Sequence, residues 1–270
     1  MSFSSFEHLR IATRNVTCHD AAMSKSASQK TPILSVVVPV YNEAENVTQL
    51  VEEIAQSQQG QAFEMIFIND ASSDGTLDVL TELKKVHPQL RVLNHRANAG
   101  QSRAVRTGVL AAKSDLIATL DGDGQNNPAD IPKLFNQMTR ADAPDNLALV
   151  GGRRQGRQDS QAKLWASRFG NGIRKKLLKD QADDTGCGIK VFKREAFLRL
   201  PYFDHIHRYI PALMLREGFE IEFADVSHRP RIAGSSKYTN LGRLKVSIAD
   251  LRGVMWLNSR ARNPQGWDEL

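Results

Sequence analysis

Two aspartates, separated by a single residue, stand in the stretch ATLDGDGQNNP at the end of an apolar run. Carboxylates this close repel each other, so Asp121 and Asp123 need a cation or another source of compensation. Hard oxygen ligands suit Mg²⁺ or Mn²⁺, and Mg²⁺ is often held by one or two carboxylates together with substrate phosphates. The pair therefore favours a divalent cation with a diphosphate ligand. The alternative is a polar turn that caps the next helix.

Three more polar positions follow predicted strands, and each allows a ligand contact or a structural role. Asp70, in INDASSDGT, could accept hydrogen bonds from a base or a ribose, or it could form an Asx-turn, a role that also suits Asp74. Glu43 could stabilise a helix N-terminus or contact a ligand. Tyr41 could stack on a nucleobase or pack against the protein.

A basic group lies far downstream, in the loop SHRPRIAGSSKY. Arg229, Arg231 and Lys237 lie within nine residues of one another, and Gly234 gives the backbone freedom. Guanidinium and ammonium groups on such a loop can surround phosphate oxygens. A solvated basic surface loop is the alternative.

The elements that position these residues alternate between strand and helix. Continuous β-branched runs such as ILSVVVPV predict strands that are covered on both faces, and the intervening segments have apolar residues at helical spacing. This alternation predicts an α/β, Rossmann-like fold, with a mostly parallel sheet and helices on both faces. Ligands bind beyond the carboxyl ends of the strands in such sheets. The polar segments YNE, NDASSDG, NAG, DGDGQ and GGRR all follow predicted strands.

The bulk composition narrows the classes of protein and of partner. Two cysteines, Cys18 and Cys187, argue against a disulfide framework and favour a cytoplasmic setting. No apolar run reaches the roughly 18 residues of a transmembrane helix, and the N-terminus has no long apolar segment of a secretory signal. The formal charge is −4 over residues 1–150 and +10 over residues 151–270. The basic half indicates an anionic partner, and the absence of an RRM, KH or zinc-finger pattern argues against nucleic acid.

Three regions are predicted along the chain. Residues 1–32 are rich in Ser, Ala and Gln and are predicted to be a flexible tail, and residues 33–240 form one domain. Residues 241–270 are predicted to be a C-terminal helix and tail. Apolar and basic residues alternate irregularly over 241–257, so this helix could lie on an anionic membrane surface or pack on the core.

Six segments, taken together, resemble a known family: VVVPVYNEAENV, INDASSDGT, NAGQSRAVRTG, LDGDGQNNP, GGRR and HRPRIAGSSKY. They look like the family 2 inverting glycosyltransferases of GT-A fold, and most like the branch of dolichyl-phosphate mannosyltransferases and undecaprenyl-phosphate sugar transferases. The resemblance covers roughly residues 33–240. It implies a metal-dependent enzyme that moves a sugar from a nucleoside diphosphate sugar (GDP-mannose or a UDP-sugar) to a polyprenyl phosphate, at the cytoplasmic face of a membrane.

The resemblance also implies roles for individual residues. The nucleotide sugar would contact Pro39, Tyr41, Glu43, Ile68, Asp70, Asp121, Gly122 and Arg153. The Mg²⁺ or Mn²⁺ ion would be held by Asp121, Asp123 and Gln125. The loop that closes over the phosphates would include Arg229, Arg231, Ser236 and Lys237. The catalytic set would be Asp121, Asp123, Asp184, Arg231 and Lys237.

Two points of the resemblance leave alternatives open. Asp183 and Asp184 both stand where the family has an aspartate, and counting back from Ile189 selects Asp184. The acidic segment reads DGDGQ where Ala and Leu are commoner at the two glycine positions.

Two other functions also fit the motifs: transfer to a glycan or protein hydroxyl, and nucleotide-sugar binding without catalysis.

Overall fold

The computed structural model describes residues 31–155, 172, 174–180, 182, 184, 186–229, 240–262 and 268–269, without the side chains of 240–245. Seven strands are present in this part of the chain: β1 (Leu34–Val40), β2 (Phe63–Asn69), β3 (Leu90–Asn94), β4 (Leu116–Thr119), β5 (Leu147–Arg154), β6 (Lys190–Lys193) and β7 (Glu220–Val226). The helices are α1 (Ala44–Ser57), α2 (Thr76–Val86), α3 (Gln101–Ala111), α4 (Ile131–Thr139), α5 (Arg194–Arg199), α6 (Ile210–Arg216) and α7 (Asn240–Ser259). Short 3₁₀ turns cover Pro128–Asp130 and Ile206–Arg208.

The seven strands form one sheet in the order β3-β2-β1-β4-β6-β5-β7. The pairs β1–β2, β1–β4, β2–β3 and β5–β7 are parallel, whereas β6 is antiparallel to both β4 and β5. The α/β class and the mostly parallel sheet are therefore confirmed. The sequence did not indicate that β6 lies between β4 and β5, and this strand brings the residues just before it to the end of β4.

Helices cover both faces of the sheet, as predicted. Alternate side chains of β1 enter two separate cores: Val36 and Val38 pack towards α1 and α4, and Val37 packs towards α3. Such two-sided burial explains why the strand sequences are continuously apolar. The approach of α3 is close, since a Cβ on Gly108 would lie 2.5 Å from a methyl group of Val37.

Helix α7 packs on the core through one side. Val254 is buried, and Leu251 and Leu257 pack beside it. The opposite side exposes Ile248, Met255 and Trp256 to solvent. The helix therefore has apolar residues on both sides, which explains why the sequence allowed both the core and a membrane as its partner.

Several predicted features lie outside the described residues. They include most of the tail at 1–32, Asp183, and the loop residues Arg231, Ser236 and Lys237. They also include most of the basic segment at 161–179, whose sequence predicts a helix or a helix pair. Residues 174–178 of the basic segment are helical.

Candidate active site

The acidic turn follows β4 directly, and hydrogen bonds fix both of its aspartates. The amide of Asp121 donates to Asn126 Oδ1 at 3.0 Å, and Gln101 Nε2 donates to Asp121 Oδ1 at 2.8 Å. The amide of Gln125 donates to Asp123 Oδ1 at 3.2 Å. Gln101 is the first residue of α3, so this helix and the end of β4 together orient the first aspartate.

The two glycines of the turn have separate structural reasons. A Cβ on Gly122 would lie 2.8 Å from the carbonyl oxygen of Pro39 and 2.7 Å from Val40 Cγ1, so a larger residue would force the turn away from β1. Gly124 has a φ of 72°, in the left-handed region that glycine adopts without strain. Both glycines are therefore explained by the path of the backbone.

The electrostatics of the turn favour a bound cation. Burial raises the pKa of Asp121 to about 6, and repulsion by Asp123 acts in the same direction, while Lys190 and Arg154 oppose it. Among the described residues, no group of three or more His, Cys, Asp and Glu side chains is arranged to hold a metal ion. Two carboxylates nevertheless fit Mg²⁺ or Mn²⁺, because such an ion keeps waters and takes substrate phosphates as its other ligands.

A buried ion pair lies beside the acidic turn. Arg154, the last residue of β5, donates to Asp184 through Nε at 2.6 Å and through Nη2 at 2.7 Å. The amide of Arg154 also donates to Asp184, at 3.3 Å. Asp184, the aspartate selected by counting, therefore fixes a guanidinium at the end of β5.

These groups surround a cavity of about 400 Å³ at the carboxyl ends of β1 and β4. Its described lining is Pro39, Gln101, Val105, Thr119, Leu120, Asp121, Arg154, Asp184, Gly186, Cys187, Gly188, Lys190, His207, Arg208 and Ile210. Lys190 opens β6, and its ammonium group donates to the carbonyl oxygen of Cys187. Burial lowers the pKa of Lys190. The cavity thus brings a buried ammonium close to the carboxylate of Asp121.

Asp70 has a structural role that accounts for its buried carboxylate. Its oxygens accept the amides of Ala99 at 2.9 Å and Gly100 at 2.8 Å, and Oδ1 lies 2.7 Å from His95 Nδ1. These bonds fix the turn before α3, where Gly100 has a φ of 84°. Asp70 therefore positions the helix that begins with Gln101, and its predicted contact with a nucleotide stays a prediction.

The other predicted nucleotide-binding residues differ in exposure. Tyr41 is 38% exposed, and Pro39 lines the cavity. Glu43 Oε2 accepts from Asn46 Nδ2 at 2.7 Å at the start of α1. Ile68 is fully buried beneath α3, so the structure shows a packing role for its side chain.

The two predicted basic contacts that the structure describes have acidic partners. Arg153 Nε lies 2.7 Å from Asp225 Oδ1, outside the cavity. Arg229 Nη1 lies 2.8 Å from Glu53 Oε2, and its amide donates to the carbonyl oxygen of Gln125 at 3.1 Å. The chain that enters the basic loop therefore begins against the acidic turn. Their phosphate contacts stay predictions.

The sequence reasoning missed several polar residues of the cavity, among them Gln101, Arg154, Lys190 and His207. Alternation along a strand places Arg153 and Arg154 on opposite faces, but the sequence alone gives no phase for that alternation. Gln101 had a signal, since it follows the NAG segment at a predicted strand end. Lys190 and His207 had none, because their position depends on the antiparallel insertion of β6 and on the segment after α5.

The fold and this cavity define a class of protein, the GT-A glycosyltransferases. The structure of Mycobacterium tuberculosis glucosyl-3-phosphoglycerate synthase, in complex with Mn²⁺, UDP and glucosyl-3-phosphoglycerate, is similar with a TM-score of 0.63. The match has 16% sequence identity and covers 86% of this chain and 82% of that one. The Pyrobaculum calidifontis mannosyltransferase PcManGT, in complex with GDP-Man and Mn²⁺, matches with a TM-score of 0.60 and 17% identity, over 86% of this chain and 65% of that one.

Sequence comparison defines the family. The profile of glycosyl transferase family 2 matches residues 35–200, and the chain belongs to this family. An undecaprenyl-phosphate 4-deoxy-4-formamido-L-arabinose transferase of Proteus mirabilis is 35% identical over 80% of this chain. A dodecaprenyl-phosphate galacturonate synthase of Rhizobium johnstonii is 31% identical over 83% of it. The chain spans 66% of the length of each of these two relatives.

Proposed function

We propose that the chain is a metal-dependent inverting glycosyltransferase that moves a sugar from a nucleoside diphosphate sugar to a polyprenyl phosphate. The observation that supports this most is the juxtaposition of Asp121 with Lys190 and Arg154 in one cavity. The carboxylate of Asp121 suits a metal ion that carries a diphosphate, and the cations Lys190 and Arg154 suit a second phosphate group. The named relatives, which act on undecaprenyl or dodecaprenyl phosphate, agree with this division.

The donor diphosphate would lie at the acidic turn. Asp121, Asp123 and Gln125 would hold Mg²⁺ or Mn²⁺, which supplies positive charge to the leaving diphosphate. The nucleotide would extend towards the ends of β1 and β2, where Tyr41 is exposed. Arg231, Ser236 and Lys237 would close over the phosphates, since the segment at Arg229 starts beside Gln125.

The acceptor phosphate would lie on the cationic side. Lys190 is a buried ammonium that donates, within the described residues, to the carbonyl oxygen of Cys187, and an ammonium has three donors. A phosphate oxygen near Lys190 and Arg154 would satisfy these donors and compensate the buried charge. A polyprenyl phosphate fits this requirement better than a neutral hydroxyl.

The geometry around Asp184 also favours a phosphate acceptor. A hydroxyl acceptor needs a base to remove its proton, and a carboxylate in a two-point bond with a guanidinium is a weak base. Asp184 is bound in this way by Arg154. A phosphate monoester is already largely ionised near neutral pH, so it needs no such base. Asp184 would therefore act by positioning Arg154.

The reaction would invert the anomeric carbon. An oxygen of the acceptor phosphate attacks this carbon from the side opposite the diphosphate and forms the new C–O bond. The bond between the sugar and the diphosphate breaks, and its electron pair leaves with the nucleoside diphosphate. Lys190 and Arg154 orient the attacking phosphate, and the acidic turn retains the leaving group.

The lipid acceptor would be reached from a membrane surface, in the cytoplasm. None of the described helices is both long and apolar enough to cross a bilayer. The exposed side of α7 presents Ile248, Met255 and Trp256 together with Arg252. Apolar and cationic side chains on one side of a helix suit the interface of an anionic bilayer.

Transfer of a radiolabelled sugar tests this proposal. We expect label from a nucleoside diphosphate sugar to enter a butanol-extractable lipid phosphate, and this transfer to be lost in Asp123→Ala and in EDTA. Full activity under either condition would refute the metal assignment. Label in a water-soluble or polymeric product would show a hydroxyl acceptor instead, and donor binding with no turnover on any acceptor would show a binding protein.

A further inference from the structure

Residues 204–209 form a short segment that is anchored from two sides, and its members His207 and Arg208 line the cavity. His205 Nδ1 lies 3.1 Å from Asp250 Oδ2, on the inner side of α7. His207 Nδ1 lies 2.8 Å from Ser102 Oγ, in the first turn of α3, and Ser102 is fully buried. These contacts fix the orientation of the His207 imidazole, which lines the cavity.

The His207 ring is uncharged. Burial lowers its pKa to about 3, and the positive charges of Arg208 and Lys190 act in the same direction. Ser102 occupies Nδ1, and Nε2 has no hydrogen-bond partner among the described residues. A neutral imidazole has one donor and one acceptor nitrogen. The ring therefore offers the cavity one uncharged hydrogen-bonding atom.

The groups around the cavity differ in the ligand atoms that they suit. The cations Arg154, Lys190 and Arg208 suit phosphate oxygens. Val105 and Ile210 offer apolar contact, as the face of a sugar ring requires. The uncharged Nε2 of His207 suits a hydroxyl group, because a hydroxyl is itself uncharged and can donate or accept a hydrogen bond.

The position of His207 relative to the acidic turn points to the sugar. Gln101 binds the carboxylate of Asp121, and the next residue, Ser102, binds His207. Two adjacent residues at the start of α3 thus contact Asp121 and His207, and both of these side chains line the same cavity. A sugar joined to a diphosphate at Asp121 would extend into the cavity that His207 lines.

We propose that Nε2 of His207 hydrogen-bonds a hydroxyl group of the transferred sugar and thereby contributes to recognition of the donor. This inference rests on the proposed function and adds to it a residue that recognises the sugar of the donor. Ser102 is a positioning residue in this arrangement, since it touches the imidazole and not the ligand.

Two substitutions separate the ligand contact from the contact with Ser102. His207→Asn keeps an amide atom near the position of Nδ1 and removes the atom at Nε2. His207→Gln places an amide atom near Nε2 and loses the one at Nδ1. A purely structural role through Ser102 predicts that Asn is the better replacement, whereas a ligand contact predicts that Gln is.

Calorimetry with Mn²⁺ would measure the affinities of UDP, GDP, UDP-glucose and GDP-mannose for the whole chain. We use the sugar nucleotide that wild type binds most tightly, and compare it with its own nucleoside diphosphate. His207→Asn should reduce the affinity for the sugar nucleotide about 5- to 10-fold, the effect of one lost hydrogen bond. Affinity for the nucleoside diphosphate should stay within about twofold, which also shows that the variant is folded. His207→Gln should restore most of the loss.

The outcomes distinguish this inference from the proposed function. An unchanged affinity ratio in His207→Asn, with sugar transfer intact in wild type, would overturn the inference alone. If His207→Asn binds like wild type and His207→Gln is impaired, the inference is also overturned. That result would show that His207 acts structurally, through its hydrogen bond with Ser102. Failure of wild type to bind any of the four nucleotides would overturn the proposed function, and the inference with it.

Discussion

Replacing Asp121 with Asn should stabilise the metal-free protein while it abolishes the metal site. Asp121 lies at the end of β4, beside Asp123 and against the cavity wall. Burial and the second carboxylate raise its pKa from 3.8 to about 6. Folding therefore places an ionised carboxylate where ionisation is unfavourable. Asn keeps an oxygen for Gln101 and carries no charge.

The pKa gives the size and the sign of the effect. At pH 7.5 the carboxylate is ionised in both the folded and the unfolded chain, and the raised pKa corresponds to about 3 kcal/mol of lost stability. Asp121 keeps some contact with solvent in the cavity, so we expect about 1–3 kcal/mol. The folded state takes up its proton first as pH falls through 6, so the difference between variant and wild type shrinks towards pH 4.

Urea denaturation in EDTA, at several values between pH 7.5 and pH 4, would measure this difference. Asp78→Asn makes the same chemical change on the exposed side of α2 and serves as the control. Adding Mn²⁺ with UDP should stabilise wild type and leave Asp121→Asn nearly unchanged, because a ligand stabilises only the form that binds it. A variant less stable than wild type at pH 7.5, or a difference that does not vary with pH, would refute the reasoning.

Three further predictions concern the neighbouring groups. In Gly188→Ala the new Cβ would lie 2.2 Å from Asp121 Oδ2, so we expect kcat/KM for sugar transfer to fall by about 100-fold. Arg154→Met leaves Asp184 buried without its cation, and the unfolding free energy measured in urea should fall by about 3–5 kcal/mol. Trp256→Glu should weaken flotation with anionic vesicles about tenfold, since burying a large apolar side chain is worth about 1.5–3 kcal/mol.

Each of these has a matched control. A Cβ on Gly75 would meet no atom within 4 Å, so Gly75→Ala should leave transfer unchanged. Arg153→Met breaks a half-exposed pair with Asp225 and should cost less than about 1 kcal/mol. Val86 is 70% exposed on α2, and Val86→Glu should not alter vesicle binding. Equal effects in a variant and its control would contradict the corresponding prediction.

Local patterns in the sequence were enough for the first four strands and the helices between them. β1, β2 and β4 are largely buried apolar runs, and β3 is a shorter, partly buried strand at the edge of the sheet. Each helix has apolar spacing on one side, so element type follows from short segments. The acidic turn could also be predicted from the sequence, because two carboxylates beside each other are unusual after a buried strand. The glycines of this turn could not be explained from the sequence, since Gly122 is required by the carbonyl oxygen of Pro39, which lies on a strand distant in sequence.

The second half depended on contacts between distant segments. The sequence suggested Arg153 for a phosphate contact, which stays a prediction, and the phase of β5 brings Arg154, which no sequence pattern selected, into the cavity. In the first half, the sequence left Asp70 open between a ligand contact and a structural role, and only the structure shows that its oxygens accept the amides before α3. Neither the phase of a strand nor the partner of a buried carboxylate is encoded within a short window of sequence.

The sequence by itself determined the α/β class, the family and the acidic turn, because these depend on local periodicity and on contiguous motifs. Only the tertiary structure decided which cations lie near Asp121. β6 enters the sheet antiparallel, with Lys190 beside Thr119 of β4 and Gly151 of β5. An antiparallel strand starts where its neighbours end, so its first residue lies at their carboxyl ends. That reversal places a buried ammonium next to Asp121, and no local pattern around Lys190 predicts it.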